Sequence, residues 1–93
     1  MNEEAKKMIE MATRLEEDSY KRWLGSAKSE ASEINRYMKH LESADYDDIS
    51  ALKNIISLAS DAIYALTIAH AHYSNAAGMR TAVYLINSAE DKK

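Results

Sequence analysis

The chain has 93 residues, a formal net charge of -3, no cysteine, no proline and two glycines; 46% of it is hydrophobic and 29% charged. That length allows one domain, 1–93. The absence of cysteine excludes a disulfide framework and any thiolate metal site, and the scarcity of turn residues argues against a multi-stranded β fold. The acidic balance argues against general nucleic-acid or anionic-membrane binding.

The charges are uneven. Residues 1–47 hold eight Lys/Arg and eleven Asp/Glu, residues 48–93 four of each, and between Ile49 and Ala89 the only formal charges are Lys53, Asp61 and Arg80. The first eleven residues begin acidic and lack an apolar core, so no signal peptide is expected. The uncharged run Ala62–Met79 has the length of a membrane span, but Thr67, His70, His72, Ser74, Asn75 and Gly78 interrupt it. A cytoplasmic, non-membrane protein is the expectation.

A first helix is predicted from about residue 3 to 24, capped by Asn2, with Glu3 and Glu4 in its electropositive first turn. Ala5, Met8, Ala12, Leu15 and Ser19 recur at steps of three and four, with Ile9, Tyr20 and Trp23 beside them. Gly25 is expected to stop or bend it. A second helix, about 27–43, follows with Ala27, Ala31, Ile34, Met38 and Leu41 as its core face. The run Ser43–Asp48 is the clearest break, and Asp45 or Asp47 is expected to cap the next helix.

The third helix, about 47–74, carries two adjacent stripes. One is Ile49, Leu52, Ile56, Ala59, Ile63, Leu66, His70, Tyr73 and Ala77; the other is Ile55, Leu58, Ala62, Ala65, Ala69 and Ala76, with His72 in the same row. The alanines permit close backbone approach. After Tyr73 the pattern changes phase to Met79, Val83 and Ile86, and Ser74, Asn75 and Gly78 lie at the junction, so a turn and a short fourth helix, about 76–89, are expected. The resulting fold class is an all-α antiparallel bundle of three long helices plus a short C-terminal one.

A domain this small removes only about 60–65% of its unfolded surface from water, which leaves a helix apolar on most sides without enough chain to cover it. The third and fourth helices are therefore expected to lie in an interface of about 800 Å² per partner. A non-enzymatic interaction module follows: a homo-oligomeric assembly subunit, or a small regulator or inhibitor docking on another protein.

Chemistry has little support. His70 and His72 are two apart and diverge on a helix, whereas chelation needs steps of three or four, so no metal and no cofactor are expected. His70 is expected to face the seam, with one ring nitrogen hydrogen-bonded. No nucleophile elbow and no helical Ser–His–carboxylate set is present, so no enzyme is expected. Asp61 is expected to reach solvent or an arginine such as Arg80.

Two aromatic–basic groupings remain. Tyr20, Lys21, Arg22, Trp23 and Lys28 surround the first expected bend; His72, Tyr73, Asn75, Arg80, Thr81 and Tyr84 surround the second. Rings beside cations suit a nucleotide-like or other anionic ligand, which is the alternative function. The candidate partner- or ligand-binding residues are Tyr20, Arg22, Trp23, Lys28, Tyr64, His72, Tyr73, Arg80 and Tyr84, aromatics and cations being the side chains that dominate interface energetics.

Overall fold

A computed structural model describes residues 3–41 and 48–91. They form two long α-helices, α1 (Glu3–His40) and α2 (Asp48–Asp91), packed along each other. The expected bundle of three long helices and a short one is thereby corrected to a helical hairpin. Its extents are 72 × 19 × 15 Å. A helix of 44 residues rises about 66 Å, so α2 alone accounts for most of the long axis.

Neither expected interruption exists. Helix α1 runs through Gly25, and α2 runs through Ser74, Asn75 and Gly78, with no positive φ at either glycine. A lone glycine costs about 1 kcal/mol against alanine in a helix interior and lacks the ring clash and lost donor of a proline. Packing along the neighbouring helix outweighs that penalty. Glu3 and Glu4 lie in the first turn of α1, Lys39 and His40 in its last, each complementing the helix dipole. The expected caps Asn2, Asp45 and Asp47 lie outside the described residues.

Each helix turns one heptad row toward the other. On α1 the shielded positions are Ile9, Thr13, Glu16, Tyr20, Trp23, Ala27, Glu30, Ile34, Tyr37 and Leu41, at alternating steps of four and three. On α2 they are Ala51, Ile55, Leu58, Ala62, Ala65, Ala69, His72, Ala76, Met79 and Val83, again alternating. A strict 3.5-residue repeat on both helices is the pattern of a left-handed coiled coil. Among the described residues the five buried ones are all alanines: Ala27, Ala51, Ala65, Ala69 and Ala76. Small side chains at these positions draw the two backbones together and leave no wide core between them.

The expected core faces are corrected accordingly. Met8 and Leu15 of α1 are exposed rather than inward, as are Ala31 and Met38, while Ile9, Thr13, Tyr20 and Trp23 face α2. On α2 the alanine row forms the seam and the larger stripe does not. The phase change expected after Tyr73 is a continuation of the seam row through His72, Ala76, Met79 and Val83.

Candidate interaction surface and polar clasp

Residues on α2 one position beyond the seam lie about 100° further round the helix. This is the stripe of Ile49, Leu52, Ile56, Ala59, Ile63, Leu66, His70, Tyr73 and Ala77, and α1 leaves most of it uncovered. Ile49, Ile56 and Ile63 remain 67%, 66% and 65% exposed, and Leu52, Leu66 and Tyr73 about half exposed. His70, expected in the seam, is an exposed member of this stripe. It lines an open groove with Tyr20, Leu24, Leu66, Ala69 and Tyr73.

The chain exposes 7017 Å². A compact monomer of 10.5 kDa exposes about 5,400 Å², so this hairpin shows about 1,600 Å² more. Its radius of gyration, 20.7 Å, compares with about 12 Å for a compact domain of the same length.

The seam is not wholly apolar. Near its middle the His72 Nδ1–H donates to Glu16 Oε2 at 2.5 Å, and Asn75 Nδ2 donates to the same oxygen at 3.3 Å. The His72 hydrogen bond holds the Glu16 carboxyl below its ordinary value; partial burial opposes this, and the Asn75 bond adds to it. Along the other edge of the seam Arg80 Nη1 donates to Glu17 Oε1. Thr13 Oγ1 donates to its own helix at Ile9 O, 2.8 Å away, and touches Met79 Sδ at 3.5 Å.

Two ring pairs flank this clasp. Tyr20 and Tyr73 have centroids 5.5 Å apart at 55°, and Trp23 meets Tyr64 edge-on at 6.0 Å and 79°. Both are within the range in which aromatic pairs attract beyond their area. The two expected aromatic–basic groupings are therefore brought together across the seam: Tyr20, Lys21, Tyr73 and Arg80 line one groove with Glu17 and Ala76. Arg22, Lys28 and Tyr84 are exposed and outside it. Asp61 is exposed, and the ion pair of Arg80 is with Glu17. Glu16 and Glu17 were not among the expected site residues. Their signal was the row Ile9, Thr13, Glu16, Tyr20 and Trp23, which keeps heptad spacing but places a charge where an apolar residue is usual.

No protein-family model matches the chain, and neither does any curated protein or any solved structure.

Proposed function

We propose that the protein is a non-enzymatic interaction module, an assembly subunit that associates with itself, and with another protein, through the open stripe of α2. The observation that supports this is a heptad row of mostly large apolar side chains, as regular as the seam, that α1 touches only at its Tyr20 edge and otherwise leaves exposed. Exposed apolar patches of this extent mark interaction sites in soluble proteins. The geometry suits a bundle: in a square four-helix arrangement each helix touches two neighbours about 90° apart, close to the 100° between the seam and the stripe.

By length and composition α2 is also apolar enough to cross a membrane, with a mean hydropathy of 1.2 over 18 residues. Its seam, however, is occupied along its length by α1, which carries eight Lys/Arg and eight Asp/Glu between Glu3 and His40. Insertion of the hairpin would carry those charges into hydrocarbon. The anionic-ligand alternative is weakened by Glu17, which sits beside Arg80 in the Tyr20–Tyr73 groove and would repel an anion there.

Light scattering at micromolar concentration tests the reading. The chain is expected above its monomer mass of 10.5 kDa. The double variant Ile56→Lys/Ile63→Lys is expected to be monomeric with unchanged helicity, because neither side chain contributes to the seam. A wild-type monomer over the whole range would sink the self-association.

A further inference from the structure

We infer that the partner on the α2 stripe is a second copy of this chain placed about a two-fold axis across the middle of α2, so that the two α2 helices run antiparallel. This rests on the interaction reading above and adds the orientation; two observations carry it, one for the orientation and one for a second copy as the occupant.

The first is size matching along the stripe. A parallel, in-register pair would set Ala59 on Ala59, Ala77 on Ala77 and His70 on His70 of the two copies. The alanine layers would leave voids between the two copies. An antiparallel pair centred between Ile63 and Leu66 sets Ala59 against His70 and Ala77 against Leu52, small against large in each case. Such alternation is what lets facing layers interdigitate.

The second is area. The surplus of about 1,600 Å² exceeds the roughly 800 Å² per partner that a specific interface buries. A two-fold also closes on itself, so the stripe is consumed without leaving a sticky end.

The absence of cysteine allows a single spin label per chain. Lys53 and Ala71 are exposed and belong to neither stripe. With Lys53→Cys labelled, pulsed dipolar spectroscopy is expected to give an intermolecular distance beyond about 30 Å, from the 1.5 Å rise per residue and the axis between residues 63 and 66. With Ala71→Cys labelled, nearer that axis, the distance is expected to be shorter by more than about 10 Å. Two similar distances below about 20 Å would mean parallel helices and overturn the orientation while leaving self-association intact. Light scattering on the same samples separates the remaining outcomes. A closed dimer supports the two-fold, a concentration-dependent polymer overturns it, and a monomer overturns it together with self-association.

Discussion

Glu16 is an acidic residue in a row that is otherwise mostly apolar or aromatic, and the clasp it forms has a pH signature. Because its folded-state carboxyl is held below its ordinary value of 4.5, chiefly by the His72 hydrogen bond, it stabilises the hairpin above that pH. The contribution is lost as pH falls through the depressed folded value. Glu16→Gln keeps an acceptor but removes the charge, so the thermal midpoint of the wild type is expected to exceed that of the variant at pH 7 and to close on it as the pH is lowered below 4.5. A constant gap from pH 7 to 3 would show that the carboxylate charge contributes nothing. Glu30 is a contrasting case: its Oε2 is shielded and has no hydrogen-bond partner. Replacing it by methionine is expected to raise stability by about 1 kcal/mol, read by urea unfolding, since an unsatisfied buried acceptor costs about that much. At this scale the sequence set His72 in one row with the alanines that form the seam. It did not disclose which carboxylate His72 meets, because Glu16 is 56 residues away and only the pairing of the two helices brings them together.

At the scale of the element, the helical content, the charged character of α1 and both stripes of α2 were legible, since each follows from 3.6-residue periodicity. The breaks were not, because a helix end is decided by competition. Gly25 and Gly78 carry the right residue type for a stop, but each would forfeit a continuous seam to save about 1 kcal/mol. The assignment of stripes was also illegible: two rows one residue apart are equally good seams by pattern, and the alanine row wins because it allows the closer approach. A Cβ added at Gly25 or Gly78 meets nothing within 4 Å. Gly25→Ala and Gly78→Ala are therefore each expected to stabilise the fold by about 0.5–1 kcal/mol, additively, measured by chemical denaturation. The reverse holds at the seam, where Ala69 is 2% exposed. Ala69→Leu would wedge the helices apart at a cost of about 1–3 kcal/mol. If it proved neutral, the close approach would not be the source of seam stability.

For the whole molecule the question is what holds a 72 Å hairpin together when, among the described residues, the buried ones are all alanines. A two-helix seam without a single large side chain fully buried gives little apolar burial per residue, while ordering each residue costs about 1–2 kcal/mol. The stripe of α2 offers the missing area, but only to a second helix surface. Folding and association are then linked, and linkage makes stability depend on protomer concentration. Raising the concentration from about 1 to 100 μM is expected to add up to about 2.7 kcal/mol per monomer–dimer step, and with it several degrees to the thermal midpoint of a chain this size. The Ile56→Lys/Ile63→Lys variant is expected to melt lower and at a temperature independent of concentration. A wild-type midpoint unmoved over that range, with the same helicity as at high concentration, would mean that the alanine seam and its clasp suffice alone, and that the stripe serves a partner that is absent from the purified protein.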